Sequence, residues 1–325
     1  MGGVLLAVAP TPFVTLQDFG RLGWQRFGVS RCGAMDLEAL ATANALVGNP
    51  PDAAALEFAY AGGEWEVAAT SMRVAITGGR FPIFVDDEPA AAFTTITLTR
   101  GQTLRIGGAP DAVWGYLAVA QGFELRRQLG SLSTHSRSGV GGLAGGPIRA
   151  GDALPLVAEW VRAEPERALQ RPPLPRDAPL RVMLGPQDDF FTPDAVETFL
   201  SADYHVTHQM DRLGYRLEGP PLEHARGYNI ISDGYVPGAI QVPGGREPIV
   251  LLQDAQPPGG YPKIATIISA DVARLAQSRP GRAIRFEAVG IETAQRVRRE
   301  FVERLAGIAQ HLAEVPRRGT GARHV

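Results

Sequence analysis

Apolar residues in this chain come in short, strand-length runs closed off by glycine or proline. Runs at 72–77, 103–106 and 113–119 fall in the first half, and runs at 180–184, 249–252, 264–268 and 283–286 in the second. Many short strands with regular turn signals predict a mainly β fold with a few helices, built as two β-barrel-like halves. Helical periodicity is rarer. One helix is expected from Asp36 as N-cap through Ala45 or Leu46, stopping at Gly48 ahead of Pro50 and Pro51. A second follows Thr192, with Pro193 at its first position and Asp194 in its first turn. A third is expected to start at Ser269. The last and longest is expected over 291–313, with Val297, Phe301, Leu305, Ile308 and Leu312 on one stripe.

Residues 162–179 hold five prolines (Pro165, Pro172, Pro173, Pro175 and Pro179) among many charges, which reads as a linker. The expected division is a β-rich N-terminal domain (1–162), the linker (163–179), a C-terminal barrel (180–290), and a final helix with an Arg-rich tail (291–325). The segments 151–154 and 281–284 share a Gly-x-x-Leu/Ile spacing, a faint sign of internal duplication.

Composition narrows the function classes. At 325 residues the chain is long for one compact domain and comfortable for two, and 45% hydrophobic residues can fill sizeable cores. With 20% charged residues and a net charge of -2, neither a nucleic-acid surface nor an anionic membrane partner is expected. The tail, with Arg317, Arg318 and Arg323 among glycines, reads as solvated and disordered. The single cysteine, Cys32, excludes an intrachain disulfide. The N-terminus lacks a charged n-region, Pro10 and Pro12 interrupt its apolar run, and no stretch approaches the roughly 20 apolar residues of a membrane span. A cytoplasmic protein is expected.

Two glycine-framed acidic patches carry the candidate chemistry. The first holds Gln17, Asp18, Gly20, Arg21 and Gly23, with Gly33, Ala34, Met35 and Asp36 beyond it. The second holds Gln253 and Asp254, then Gly259, Gly260, Tyr261, Pro262 and Lys263. Carboxylates close to free backbone N–H groups suit a small amide or carboxylate substrate. Asp18 and Arg21 can pair to pin their loop, or Arg21 can clamp a carboxylate or phosphate. Asp36 has a structural reading as a helix N-cap. Asp254 can act as general acid or base, and Gly259 and Gly260 can offer N–H groups to an oxyanion; the plainer reading is a hairpin with a capping Asp and a surface Lys263. Arg212 is either an anion ligand or a surface salt-bridge partner. Gln241, between two turns, has an amide suited to a substrate amide.

Other motifs are weaker. The glycine-rich run 139–146 contains a formal G-x-G-x-x-A, yet no strand precedes it and Pro147 follows, so a dinucleotide fold is not expected; a phosphate cradle or lid stays open. His205 and His208 would point to opposite faces of a strand, and no metal is expected. Cys32 reads as a small packed residue, with nucleophile as the alternative.

Taken in order along the chain, these segments resemble the bacterial family named for allophanate hydrolase subunit 2. It is also called the biotin-dependent carboxyltransferase family, and includes KipA and the C subunit of 5-oxoprolinase. The residues that carry the resemblance are Gln17, Asp18, Gly20, Arg21 and Gly23, then Gly33 to Asp36, Ala43 to Asn49, Leu56 and Glu57. Next come Tyr116 to Ala120, Leu129 to Thr134, Gly151 and Asp152, then Arg212 to Gly219, Gly238 to Pro243, Asp254, and Gly259 to Pro262. They span about residues 10 to 290. Cys32 stands where the family usually has serine, and Pro257 and Pro258 stand where threonine often precedes the glycine pair.

The resemblance implies a cyclophilin-like barrel in the second half, with the first half expected to match. It implies a chain that works with a sister subunit of the KipI or allophanate hydrolase subunit 1 type, and with the LamB/YcsF-type A subunit of 5-oxoprolinase. Such a complex opens 5-oxoproline to glutamate using ATP, with no cofactor covalently bound to this chain. The alternatives are carboxyl transfer from carboxybiotin to urea or a related amide, and a KipA-like regulatory role. Under the first, Asp254, Gly259 and Gly260 are the expected catalytic residues, and Asp18, Arg21, Asp36, Arg212, Gln241, Tyr261 and Lys263 the expected substrate-binding ones.

Overall fold

The computed structural model describes residues 2–170 and 178–315. It is mainly β with four α-helices: α1 (Leu37–Val47), α2 (Pro193–Ser201), α3 (Val272–Ala276) and α4 (Ile291–Ala306). In the first half, a six-stranded sheet runs in the order Ala153–Pro155, Val4–Ala9, Ala61–Val67, Thr103–Gly108, Ile83–Val85, Glu88–Ala90. A five-stranded sheet runs Thr15–Gln17, Ala55–Ala59, Trp114–Val119, Ser71–Thr77, Thr95–Thr99. Leu5, Trp65, Leu104 and Ile106 of the first sheet meet Leu56, Phe58, Val74 and Leu117 of the second in one buried core.

Strand Ala55–Ala59 is buried at every position. Side chains alternate along a strand, so Leu56 and Phe58 enter the first-half core while Ala55, Glu57 and Ala59 face the other way. That second face, with Ala75, Tyr116 and Ala118, packs under α1 and against the second half. The small residues there let α1 approach closely.

The second half is an eight-stranded sheet in the order Ala283–Ile284, Tyr204–Met210, Gly214–Glu218, Ile249–Leu251, Ala239–Gln241, Lys263–Ile267, Leu180–Leu184, Phe286–Ala288. Its two edge strands are separated in sequence only by Arg285, so the sheet curls until its edges nearly meet. Val182, Val206, Tyr215, Leu217, Ile240 and Ile264 fill the interior, and Phe199 of α2 stacks on Phe286 at 4.5 Å. Buried side chains of both halves form one continuous apolar cluster.

Helix ends follow local chemistry. The Asp36 carboxylate accepts from Ala39 N at 3.0 Å, and Gly48 closes α1 in a left-handed conformation (φ 79). Thr192 caps α2, accepting from Ala195 N at 3.1 Å. Two expected boundaries are corrected. The third helix starts at Val272 rather than Ser269, because the Asp271 carboxylate is engaged by Arg181 (2.9 and 2.7 Å) and not by the helix start. The last helix ends at Ala306 rather than Ala313. After Gly307 the chain makes a short 3₁₀ turn, then strand Leu312–Glu314 pairs with Arg167–Leu169. That pairing puts a strand inside the proline-rich 163–179 stretch, whose residues 171–177 lie outside the described part of the chain, as do Arg317, Arg318 and Arg323. No helix among the described residues is long and apolar enough to cross a membrane.

Candidate active site

A carboxylate in the middle of an apolar strand is costly unless it is paired. Glu57, fully buried, is that case. Its Oε2 accepts from Met35 N at 2.8 Å and from the Tyr116 hydroxyl at 2.7 Å, and its Oε1 accepts from Arg212 Nη1. Arg212 follows strand Tyr204–Met210 in the other half. It donates from Nε to Asp254 Oδ2 at 2.9 Å, from Nη2 to Asp254 Oδ1 at 2.7 Å, and from Nη2 to the Gly33 carbonyl at 2.8 Å. Burial pushes the Glu57 carboxyl above the usual carboxylate range, and Arg212 opposes that shift without cancelling it. Burial also works against the charge on Arg212, but Asp254 and Glu57 outweigh it and hold its pKa above the ordinary value.

Asp254 anchors neighbouring loops through its backbone. Its N–H donates to Arg212 O at 2.9 Å, and its carbonyl lies 3.3 Å from His135 Nε2. Cys32 N donates to the Gln253 carbonyl at 3.1 Å. The Cys32 thiol is buried beside Asp254, and burial followed by that carboxylate pushes it up to about 12. It is a packed thiol, not an activated nucleophile.

In the first acidic patch, the Asp18–Arg21 pair, one of its two readings, does not form. The Asp18 carboxylate accepts from Ser131 Oγ and Ser133 Oγ, both at 2.6 Å, from Leu132 N at 2.7 Å and from Gly20 N at 2.8 Å. Arg21 donates to the Gln128 carbonyl at 3.2 Å and to the Ser133 carbonyl. Both side chains are buried, so they fasten the 17–23 loop to the 128–134 loop. Asp36 is also internal: besides capping α1, it accepts from Gln277 Nε2 at 3.0 Å.

Part of the second patch lies on the outer face of the barrel, beside a cleft. In the ladder between Ala239–Gln241 and Lys263–Ile267, Gln241 lies opposite Lys263 and Ala239 opposite Thr266, with a bulge between the two pairs. Ile240 points inward to the core, so Gln241 and Ala239 share the outward face. Lys263 and Gln241 are nevertheless buried, because strands Asp233–Gly234 and Pro258–Gly259 pair above them. Lys263 Nζ donates to Asp233 Oδ2 at 2.9 Å, which holds Asp233 below the usual carboxylate range. The Gln241 Nε2 group is buried and has no hydrogen-bond partner among the described residues. A Cβ built on Gly259 would stand 2.3 Å from that nitrogen, so only glycine leaves the amide its place. The cleft beside this face has a volume of about 480 Å³ and is lined by Lys263, Thr266, Tyr235, Pro257 and Arg26 among others. Gly260 accepts from Ile230 N at 2.9 Å, and Tyr261 is 40% exposed at the rim.

Known proteins match the chain over most of its length. The description "Carboxyltransferase domain, subdomain A and B" matches residues 27–288. The chain belongs to this carboxyltransferase-domain family. It is 36% identical over 287 residues to the C subunit of 5-oxoprolinase from Haemophilus influenzae, covering 88% of this chain and 91% of that protein. It is 35% identical over 298 residues to the C subunit of 5-oxoprolinase from Escherichia coli, covering 90% and 95%. Among solved structures, the urea amidolyase of K. lactis superposes with a TM-score of 0.85 at 26% identity, covering 94% of this chain and 20% of that one.

In this carboxyltransferase domain, the expected site residues fall into separate groups. Gln241, Lys263 and Gly259 meet on the outer face of the barrel, where Lys263 lines the neighbouring cleft; Arg212 and Asp254 meet at the junction of the halves; Asp18 with Arg21, and Asp36, sit in two further places. Tyr235 lines the cleft, and burial, then the Asp254 carboxylate, pushes its phenol upward. Glu57 and Asp233 were not singled out as site residues from sequence. Glu57 did carry a signal, a lone charge within the apolar stretch 55–59.

Proposed function

We propose that this chain is a subunit of an ATP-dependent 5-oxoprolinase complex, which opens 5-oxoproline to glutamate together with sister subunits. Relatives named as the C subunit of 5-oxoprolinase, matched over nearly their whole length, support the reading. The observation that carries it is the unpartnered Gln241 amide at the strand position opposite Lys263. A buried N–H donor without an acceptor is expensive in the empty chain and is matched by a carbonyl oxygen brought by a ligand.

In this reading the lactam oxygen of 5-oxoproline accepts from Gln241 Nε2 and Lys263 Nζ. Water adds to the carbonyl carbon, the C–N bond breaks, and the nitrogen leaves as the amine of glutamate after taking up a proton. N–H groups at Gly259 and Gly260 face the charge that develops on oxygen and Tyr261 closes the rim, while Asp254, expected as the acid/base group, is held through both oxygens by Arg212 at the junction of the halves. Asp18, Arg21 and Asp36 order loops rather than touch substrate. ATP cleavage in the complex supplies the driving force. The barrel is cyclophilin-like, and the complex is cytoplasmic.

A second reading is carboxyl transfer from a biotinylated carrier to urea or a related amide. The superposition on urea amidolyase favours it, and the same donors would hold the carbonyl oxygen of that amide. The test is glutamate release from 5-oxoproline and ATP by this chain co-expressed with its chromosomal neighbours, and by the same mixture without it. Release that requires this chain supports the proposal. An assembled complex that releases none, but carboxylates an amide when a biotinylated carrier is added, replaces it with the second reading.

A further inference from the structure

The segment ahead of α1 crosses from the first half onto the barrel. Ser30 Oγ donates to the Ala255 carbonyl at 3.2 Å and Cys32 N donates to the Gln253 carbonyl at 3.1 Å. Residues 30–32 are thereby fastened to the loop that follows strand Ile249–Leu251. Just before them, Gln25–Phe27 form one 3₁₀ turn, closed by Gly28 in a left-handed conformation (φ 78). The turn carries Arg26 to the wall of the 480 Å³ cleft, which Lys263 and Thr266 line from the barrel. The Arg26 guanidinium lies 4.8 Å from the centroid of the Phe27 ring, a contact that braces the side chain without neutralising its charge.

The two cations at this cleft are placed differently. Lys263 Nζ donates to Asp233 Oδ2 at 2.9 Å, and that carboxylate also accepts from Gln187 Nε2 at 3.3 Å and from Gly234 N, on Oδ1, at 2.8 Å. Asp233 is therefore engaged through both oxygens and balances Lys263. None of the described residues lining the cleft is a carboxylate. Arg26 is exposed and makes neither an ion pair nor a side-chain hydrogen bond with any described residue. One positive charge at the cleft thus has no match within the chain. 5-Oxoproline has two oxygen groups to place, the lactam carbonyl and a carboxylate that is ionised at neutral pH, one on each side of the ring nitrogen. Gln241 and Lys263 account for the first and leave the second without a partner.

We infer that Arg26 is the specificity residue for the substrate's carboxylate. Its planar fork takes both oxygens of a carboxylate carried beside the lactam, so the cleft selects a small carboxylated amide over a neutral one. The inference rests on the 5-oxoproline reading of this cleft. It also sets that reading apart from carboxyl transfer to urea, which has no carboxylate to offer.

The test is calorimetric binding of 5-oxoproline to the full-length chain, beside 5-oxoproline methyl ester and 2-pyrrolidone, which keep the lactam and lack the negative charge. 5-Oxoproline is expected to bind about ten-fold or more tightly than either. Arg26→Gln and Arg26→Ala are expected to lower its affinity to that of the ester and to leave the two neutral lactams unchanged, while Arg26→Lys keeps part of the preference. Circular dichroism of each variant confirms that it is folded. In the assembled complex, Arg26→Ala is expected to lower kcat/KM for 5-oxoproline by a similar factor. Absence of 5-oxoproline binding, equal binding of its methyl ester, or a preference that survives in folded Arg26→Gln would each overturn the inference. Glutamate release with unchanged kcat/KM in Arg26→Ala would overturn it and leave the 5-oxoprolinase reading standing. An Arg26-dependent preference for 5-oxoproline in a complex that releases no glutamate would uphold the carboxylate site and remove that reading.

Discussion

Arg212 grips Asp254 by both carboxylate oxygens, at 2.9 and 2.7 Å, while its remaining nitrogen reaches Glu57 in the other half of the chain. One guanidinium therefore fastens the barrel loop that carries Asp254 to the first-half sheet. Around it, Tyr116 and Met35 N complete the hydrogen bonding of Glu57, so the junction is buried and satisfied.

Breaking that junction from the cationic side leaves two buried carboxylates without a counterion. Arg212→Met is expected to destabilise the chain by about 3–5 kcal/mol in urea unfolding at neutral pH. Glu57 already has a folded-state pKa above its unfolded value. Losing Arg212 raises it further, so the variant binds a proton on Glu57 as the pH falls. Its deficit against wild type should shrink in acid and be fully present once the pH has risen through the folded-state pKa of Glu57. A deficit that grows toward low pH would contradict this assignment.

Gln241→Leu separates function from stability. The amide nitrogen has no partner to lose, so the variant should unfold within about 1 kcal/mol of wild type, or be slightly more stable. The assembled complex carrying it should lose glutamate release. Unchanged turnover would remove Gln241 from the substrate site.

Two nearby glycines should answer alanine in opposite ways. Gly141 has φ 81 and its added Cβ would meet backbone, so Gly141→Ala should lower stability by about 2 kcal/mol or more. Gly146 has nothing within 4 Å of an added Cβ, and Gly146→Ala should be near neutral. Thermal unfolding of the pair measures whether the 139–146 loop is seated.

Cys32, with its thiol pushed up to about 12, should resist alkylation by iodoacetamide at pH 8 in the native chain and react on unfolding in urea. Rapid stoichiometric labelling of the folded protein would show a thiolate and reopen a nucleophilic role.

Local patterns were the most legible features. Asp36 and Gly48 bracket α1 as expected, because capping is decided within a few residues. Strands at 71–77, 114–119 and 180–184 follow their apolar runs. The last helix was overextended because its apolar stripe continues past Gly307 to Ile308 and Leu312, whereas the chain there is claimed by pairing with residues 167–169, a contact some 140 positions away in sequence.

The sequence alone determined the β-rich class, the helix starts with good caps, and the family, because these rest on short-range periodicity and on motif residues in fixed order. Tertiary structure decided what the polar residues do. Asp18 and Arg21, three apart, do not pair, since serines and carbonyls of the 128–134 loop reach them first. Glu57, Arg212 and Asp254, scattered over the chain, meet because a buried charge is tolerated only where folding brings its counterion. The donors on the outer face likewise meet only once cross-strand register sets Gln241 opposite Lys263 and a glycine passes beside the Gln241 amide.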